Sequence, residues 1–211
     1  MKSLVSISLA LIFSVTLFLK WIFQPSFILS EQELSKAKSR EVTIYRDTWG
    51  VPHIFGKTDS DAAFGLAYAH SEDDFSTIQD VIIMVKQKSG LLKGKDGAIT
   101  DFLMEWLRIY ETVDKFYQSH LSPEVKQLME GYCQGINLYA HEHNDEIKLN
   151  VFPVESRDIV VGFVFRTPMF FGLDRELESL FNLKEKPKIQ SSSKREKSPS
   201  PIGSNGFAVS P

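Results

Sequence analysis

The residues with the clearest potential for chemistry lie near the end of the sequence, in the run Gly203-Ser204-Asn205-Gly206-Phe207. A serine hydroxyl is a weak nucleophile and must lose its proton as it attacks. If Ser204 became the first residue of a chain, its own α-amino group, with an ordinary pKa of about 7.7–8.0, could serve as the base. Gly203 lacks a Cβ, so the Ser204 hydroxyl could reach the preceding carbonyl and cleave that bond itself. The run predicts either this self-cleavage or an ordinary Gly-Ser turn that opens a strand.

The segment before this run has the composition of a spacer. Residues 184–203 are rich in Ser, Lys and Pro, and Ile189 is the single apolar side chain up to residue 201. Such a segment cannot bury enough surface to offset its ordering entropy, so we expect an exposed linker. Residues 204–211 are apolar and strand-like again, and they read as the beginning of a further segment that is cut short.

Upstream of the linker, residues 31–183 are expected to form one domain, which begins with a hairpin. Residues 42–55 alternate and are rich in β-branched side chains on either side of Asp47 and Gly50, which supply turn chemistry. Residues 31–41 are polar and predict a spacer helix or a linker. The pattern therefore predicts a two-stranded antiparallel hairpin ahead of a mostly helical region.

Helical spacing of apolar residues predicts several helices after the hairpin. The first is expected over residues 62–78, behind polar caps at residues 58–61, and it would bury Phe64, Ala67, Tyr68 and Phe75. Residues 82–88, 99–116 and 123–141 predict further helices, whereas residues 150–153 and 158–165 are extended or helical. The predicted fold class is therefore α+β, mostly helical with an N-terminal β-hairpin.

Residues 1–30 form a separate N-terminal segment. Lys2 precedes an apolar run from Leu4 to Leu19, and no small-x-small cleavage site stands out before Ser30. The run predicts an export signal, either a signal peptide or an uncleaved membrane anchor, with the rest of the chain in the periplasm or elsewhere outside the cytoplasmic membrane. A buried core helix is the alternative, but nothing in the run repeats with a polar face.

Composition excludes some classes of function. Hydrophobic residues make up 43% and charged residues 24%, as in ordinary globular proteins. The net charge of −3 argues against a nucleic-acid partner, because binding phosphates requires a basic surface. Cys133 is the single cysteine, which excludes an internal disulfide and predicts a small buried apolar residue.

Three runs in chain order resemble the penicillin acylase family of N-terminal-nucleophile hydrolases. Residues 46–54 read RDTWGVPHI, residues 61–74 read DAAFGLAYAHSEDD, and residues 204–209 read SNGFAV. The resemblance implies that residues 31–183 are the small-subunit part of an αββα hydrolase, whose sheet is mostly supplied by a catalytic large subunit. It also implies that Ser204 is nucleophile and base, that Gly203 marks the self-cleavage site, and that Asn205 belongs to the catalytic run.

The resemblance further implies hydrolysis of a linear amide in an acylated small molecule, such as a β-lactam or an N-acyl-homoserine lactone. Four positions depart from the family pattern: Ala67, Ser71, Asp74 and Phe207. None of them removes a catalytic group, so the chain is expected to belong to a divergent subgroup. The alternative function is that of a truncated, non-catalytic, membrane-anchored relative that acts as an interaction protein or is a decayed remnant.

Two further site predictions come from the same resemblance. Glu176 would ligate a structural calcium ion between the subunits, or it is a solvated helix carboxylate. Met169, Phe170 and Phe171 would line the acyl pocket, or they belong to the core.

The remaining polar clusters have plain interpretations. His53 and His70 are expected to be hydrogen-bonded structural groups, and His141 and His143 to lie in a solvated loop. Residues 72–74 form an acidic triplet that is either a helix surface or support for the hairpin.

Overall fold

The computed structural model describes residues 13–15, 24–173 and 175–177. These residues fall into two units, one that ends at Phe171 and one that begins at Gly172. Most of the predicted signal or anchor (residues 1–12 and 16–23) lies outside the described part of the chain. Within that part, no helix has both the length and the apolar character needed to cross a membrane.

From residue 31 onward, the first unit consists of one helix, a single β-hairpin and then a succession of helices. In chain order they are α1 (Glu31–Lys38), β1 (Val42–Arg46), β2 (Pro52–Gly56), α2 (Asp59–Val85), α3 (Ser89–Lys93), α4 (Lys95–Trp106), α5 (Ile109–His120), α6 (Pro123–Glu142), a 3₁₀ turn (Asn144–Glu146) and α7 (Ser156–Phe170). The predicted hairpin and the mostly helical character are both confirmed.

The hairpin lies on the N-terminal half of α2. Strands β1 and β2 pair antiparallel, with Ile44 opposite Ile54. The inward side chains of the two strands pack on α2 at Gly65, where an added Cβ would lie 2.5 Å from Val42 Cγ2 and 2.8 Å from Ile54 Cγ2. A helix residue without a side chain is therefore what allows the hairpin to lie directly on the helix.

Helix α2 is longer than the sequence pattern predicts. It begins after the Thr58 cap and continues to Val85, so the prediction of one helix over residues 62–78 and another from residue 82 was wrong. The backbone leaves helical geometry at Asp74 (φ −155°, ψ 61°), and the Asp74 carboxylate accepts a hydrogen bond from Thr77 N at 3.1 Å. Asp74 thus caps the second half of a kinked helix, and the apolar face continues across the kink.

Helices α2 and α6 form the centre of the core. Gly131 and Gly135 of α6 lie against the backbone of α2, where a Cβ would come within 2.1 Å of Ser60 O and 2.3 Å of Phe64 O. The predicted burial of Phe64, Ala67 and Phe75 is confirmed, whereas Tyr68 is half-buried. The residues of the main core cluster are Ala67, Phe75, Ile78, Ile82, Ile83, Cys133, Ile136, Tyr139, Ala140, Val151 and Val154.

A second cluster holds α4, α5 and α7 together. Residues 99–116 were predicted to form one helix, but Arg108 adopts a left-handed conformation (φ 53°) and separates α4 from α5. The change of direction allows Met104 before the break and Ile109 after it to pack in the same cluster with Val161 of α7. Residues 158–165, whose type was left open, lie within α7.

Buried amides hold the loop between α6 and α7. Asn137 donates to Val154 O at 2.9 Å and accepts from Val154 N at 2.7 Å. Gln79 likewise donates to Glu146 O at 3.0 Å and accepts from Lys148 N at 2.8 Å. Because each amide satisfies both a carbonyl and an N–H, the irregular backbone can lie against the core without unpaired polar groups.

Candidate functional site

The hairpin motif forms a closed loop around Asp47. Its carboxylate accepts hydrogen bonds from Trp49 N at 2.9 Å and Val51 N at 3.0 Å, and Gly50 adopts φ +82°. Partial burial alone would raise the pKa of the Asp47 carboxyl, but hydrogen bonds from His53 and from these two N–H groups outweigh it and hold that pKa below its usual value. The loop is therefore stabilised by an ionised side chain at its centre.

Arg46 fastens this loop to helix α2. Its guanidinium donates to Gly50 O at 2.9 Å and to Ala69 O at 3.2 Å, and it pairs with Glu72 at 2.8 Å and Asp73 at 2.9 Å. The hydrogen bond to Glu72 is the main cause of the raised pKa of Arg46. Of the two interpretations of the acidic triplet, support for the hairpin is the one that the structure shows for Glu72 and Asp73. A planar fork with five donors can serve four acceptors at once, which a lysine cannot do.

The predicted structural roles of His53 and His70 are confirmed. His53 Nε2 lies 3.3 Å from Asp47 Oδ2, and His70 Nδ1 lies 3.3 Å from the Tyr132 hydroxyl. The R-D-x-x-G-V-P-H run therefore builds and positions the loop with its own side chains. Sequence reasoning missed the part played by Arg46, although an arginine ahead of a turn and a later acidic triplet were both visible.

The loop presents an apolar surface to solvent. Trp49 is 89% exposed at the tip, and the outward face of the strands carries Tyr45 and Phe55, both exposed. We call Tyr45, Trp49 and Phe55 the hairpin face. A two-stranded sheet with one uncovered apolar face is only marginally stable by itself. Such a sheet typically packs against further strands or another layer of structure.

The prediction that His141 and His143 lie in a solvated loop was wrong for His141. His141 is half-buried in the last turn of α6, where its Nδ1 accepts a hydrogen bond from Leu29 N at 3.3 Å. His143 stacks on Tyr139 with ring centroids 3.9 Å apart. Among the described residues no group of three His, Cys, Asp or Glu side chains could hold a metal ion.

Cys133 is buried as predicted, at 4% exposure. Burial is the main cause that raises the pKa of its thiol to about 12. A thiol with that pKa is almost entirely protonated at neutral pH, so Cys133 is a core residue and not a nucleophile.

The three residues predicted to line an acyl pocket differ in their surroundings. Met169 is half-buried and packs against the second core cluster, whereas Phe170 and Phe171 are 86% and 79% exposed. The rings of Phe170 and Phe171 meet edge to face with centroids 5.6 Å apart. Phe170 and Phe171 are therefore not core residues of the described part of the chain. Their place in an acyl pocket remains a prediction.

Glu176 belongs to the second unit, where Glu176 N donates to Gly172 O at 3.3 Å in a helical turn. Its side chain is exposed. Calcium takes six to eight oxygen ligands, of which one carboxylate supplies at most two. Gly203, Ser204 and Asn205 lie outside the described residues, so the predicted nucleophile stays a prediction.

Comparison with known proteins identifies what this arrangement is similar to. A family model described as penicillin amidase matches residues 41–211. The acyl-homoserine lactone acylase PvdQ of Pseudomonas fluorescens (strain Pf0-1) is 29% identical over 126 residues, which cover 56% of this chain and 16% of that protein. The acyl-homoserine lactone acylase QuiP of another P. fluorescens strain (Pf-5) is 27% identical over 112 residues, or 53% of this chain and 14% of that protein. The chain thus spans about a sixth of the length of the curated relatives it matches.

The fold also matches a solved structure. A chain of a thermostable penicillin G acylase from Alcaligenes faecalis superposes with a TM-score of 0.55 at 15% identity, over 74% of this chain and 97% of the matched chain. At this identity the likeness concerns the fold alone. The predicted fold class, the mostly helical small-subunit part of an αββα N-terminal-nucleophile hydrolase, is confirmed.

Proposed function

Because this chain belongs to the penicillin amidase family, we propose that it is the leading part of an amidohydrolase precursor that hydrolyses a linear amide in an acylated small molecule. One observation carries the proposal: the family match runs over residues 41–211 and so includes both the hairpin motif and the run at Ser204. The relatives named as acyl-homoserine lactone acylases and the penicillin G acylase support an N-acyl-homoserine lactone or a β-lactam as the substrate class.

The chemistry proposed for Ser204 has two stages. In the first, its hydroxyl attacks the carbonyl of Gly203, the amide nitrogen becomes a free amine, and water hydrolyses the resulting ester. In the second, the new α-amino group takes the proton of the hydroxyl as that oxygen attacks the substrate amide, and it returns the proton to the leaving amine. Water then releases the acyl group from the serine ester.

A larger partner is part of this proposal. The chain spans about a sixth of its curated relatives, whereas it covers 97% of the matched chain of the solved acylase. This contrast supports a small subunit that is separate from a catalytic large subunit of the same precursor. The exposed hairpin face supports the same division, since its apolar side chains have no cover among the described residues of this chain.

The proposal also includes a calcium ion, an acyl pocket and a location for the protein. The exposed carboxylate of Glu176 fits one oxygen ligand of a structural calcium ion. Phe170 and Phe171 have apolar rings free to meet an acyl chain. The apolar run from Leu4 to Leu19 supports export, so we propose an extracytoplasmic location, with the run serving as a signal peptide or as an anchor.

The proposal is tested by expressing the precursor with whatever follows codon 211 in the gene, and by sequencing the N-termini of its chains. The expected product is a large chain that begins Ser-Asn-Gly-Phe and hydrolyses acyl-homoserine lactones or penicillins. Ser204→Ala should remain uncut and lose activity by at least about 10³-fold, because nucleophile and base disappear together. Ser204→Cys should still be cleaved, and Ser210→Ala provides a matched control outside the cleavage site.

Two results would contradict the proposal. Cleavage of Ser204→Ala at the same bond would show that Ser204 does not perform it. A short chain that ends near Pro211 as the single product would favour the non-catalytic relative.

A further inference from the structure

The residues directly before α1 are extended and lie on the folded unit. Exposure alternates along residues 26–30, here called the strap: Phe27 is half-buried, Ile28 is 75% exposed and Leu29 is 8% exposed. This is the pattern of a strand that turns one face to a core. Among the described residues, however, the strap has no partner strand, since the sheet there consists of β1 and β2.

Side chains from the end of α6 and from the loop after it take the place of a partner strand. Three backbone N–H groups of the strap each donate to such a side chain: Ser26 N to Asn150 Oδ1 at 3.2 Å, Phe27 N to Asn144 Oδ1 at 2.6 Å, and Leu29 N to His141 Nδ1 at 3.3 Å. Asn144 in turn donates to His141 O at 2.7 Å, which fixes the direction of its amide. The paired residues are 112 to 124 positions apart, so these are tertiary contacts.

The inward side chains of the strap belong to the core. The ring centroid of Phe27 lies 5.6 Å from that of Phe152, which stacks on Phe75 at 5.8 Å. Leu29 forms a buried cluster with one residue each from α1, α2 and α6, namely Ala37, Phe64 and Leu138. The strap therefore covers the place where these three helices meet.

Ser30 joins the strap to α1. Its hydroxyl accepts a hydrogen bond from Glu33 N at 3.3 Å, and Ser30 N donates to Glu33 Oε2 at 2.9 Å. This reciprocal pair is a capping box, which satisfies N–H groups that have no partner within the helix. Loss of Ser30 would leave the start of α1 without its cap.

The strap contains the positions at which a signal peptide would be removed. A cleavable signal ends at small residues that follow its apolar run. Within residues 17–30, Ser26 and Ser30 are the only Ala, Gly or Ser residues. A cut after Ser30 would remove the whole strap from the folded unit. A cut after Ser26 would break the link to Asn150 and put a charged amino group on the half-buried Phe27.

We propose that the strap is a permanent part of the folded unit and stays in the mature protein, which therefore begins before Ser26. Residues 17–25 contain no Ala, Gly or Ser, so this assignment favours a retained anchor over a cleaved signal peptide. The position of the N-terminus rests on the export proposed above. The strap itself depends neither on export nor on the proposed hydrolysis.

Amide hydrogen exchange tests the strap in the full 211-residue chain, purified in detergent. We expect the amides of Phe27 and Leu29 to exchange at least about tenfold more slowly than in an unfolded chain. Asn144→Ala should remove the protection of Phe27, whereas Asn144→Asp keeps an oxygen acceptor and should retain it. Exchange of Phe27 and Leu29 at the rate of an unfolded chain would overturn the proposal.

Thermal melting of the same chain tests the packing of the strap. Phe27→Ala removes a ring that contacts the core and should lower the melting temperature by about 3 °C or more. Ile28→Ala is the matched control, because the neighbouring side chain points to solvent and should leave melting unchanged. Equal melting of the two variants would contradict a structural role for the strap.

The N-terminus is tested on the chain isolated from the envelope of the source cells. Trypsin should release an unbroken peptide from Trp21 to Lys36, which spans the strap. Peptides that begin at Phe27 or Glu31 on the exported chain would overturn the proposal. The same digest reports the bond before Ser204, so failure of the proposed self-cleavage is seen separately.

Protease added to spheroplasts distinguishes a failure of export, because it digests an exported chain and spares one that stays inside. A chain that stays inside would contradict the proposed location. The exchange and melting results would then decide the strap.

Discussion

At the scale of single residues, Arg46 and Asp47 explain why the hairpin motif has its composition. Arg46 joins the loop to α2 through two carbonyls and two carboxylates, and Asp47 holds the loop backbone closed. The side chains of both residues hold the loop in its conformation, and the loop exposes Trp49 at its tip. The motif therefore produces a loop that is held in place by its own side chains and that exposes an aromatic side chain at its tip.

Replacement of Arg46 should loosen the hairpin without unfolding the helices. In Arg46→Ala the two carboxylates and two carbonyls lose their shared donor, so amide hydrogen exchange in β1 and β2 should become severalfold faster while that of α6 stays unchanged. Arg46→Lys should recover only part of the protection, because an ammonium group has three donors for the four acceptors. Equal exchange in wild type and Arg46→Ala would show that the packing at Gly65 holds the hairpin alone.

The closure of the loop should depend on pH through Asp47. Its pKa is lower in the folded state, so the stabilisation is fully present above the unfolded value of about 3.9. As the pH falls below that value, the unfolded state takes up the proton first and the stabilisation is lost. We expect the amides of Trp49 and Val51 to lose protection in this window when followed by NMR. In Asp47→Asn an amide oxygen accepts at every pH, so a surviving pH step there would assign it to another group.

At the scale of elements, the close approach of α2 and α6 determines the core. Gly131 and Gly135 let the two helices meet backbone to backbone, and Asn137 then reaches the α6–α7 loop. In the same way, Gly65 allows the hairpin to lie close to α2, and Gly97 allows α3 to lie close to α4. Helix packing in this protein therefore depends on glycines in helix interiors, at a cost in helix propensity that the contacts offset.

A paired substitution separates close packing from helix propensity. Gly135→Ala places a Cβ 2.3 Å from Phe64 O and should destabilise the protein by about 1–3 kcal/mol. Gly162→Ala in α7 meets nothing nearer than Val85 Cγ2 at 3.4 Å and should stabilise by about 0.5–1 kcal/mol. Chemical denaturation of both variants measures the two free energies of unfolding. A neutral Gly135→Ala would mean that α2 and α6 can separate without loss.

At the scale of the whole molecule, the chain presents apolar surfaces at both ends of α2. The hairpin face fits the proposed large subunit, and helices α3 and α4 also carry exposed apolar side chains, among them Leu91, Phe102 and Trp106. The described residues leave no buried side-chain donor or acceptor without a partner. The interior of the first unit is thus complete, whereas its outer surface is still suited to further contacts.

The role of the hairpin face is tested in the full precursor. Phe55→Glu should leave the folding of the 211-residue chain unchanged, because Phe55 is exposed, and should lower the yield of processed, active protein. Leu128→Glu adds the same charge at an exposed apolar side chain of α6 and serves as the control. Circular dichroism checks folding, and gel analysis with an acylase assay checks processing. An unchanged yield would remove the hairpin face from the interface.

The sequence by itself determined the elements whose signals are local. The hairpin follows from alternation and from turn residues a few positions apart, and α6 follows from its apolar period behind the Ser122 cap. The motif order was enough to indicate the family. The sequence also indicated the buried state of Cys133, since a free cysteine is among the residue types most often buried.

Tertiary structure alone decided the features that join distant parts of the chain. Arg46 meets Glu72 across 26 positions, and Gln79 and Lys148 meet across 69. The exposure of Phe170 and Trp106 could not be predicted either, because a periodic pattern shows that a helix has an apolar face but not what covers it. Which side chains are covered depends on which elements the folded chain places nearby, and several large apolar side chains stay exposed among the described residues.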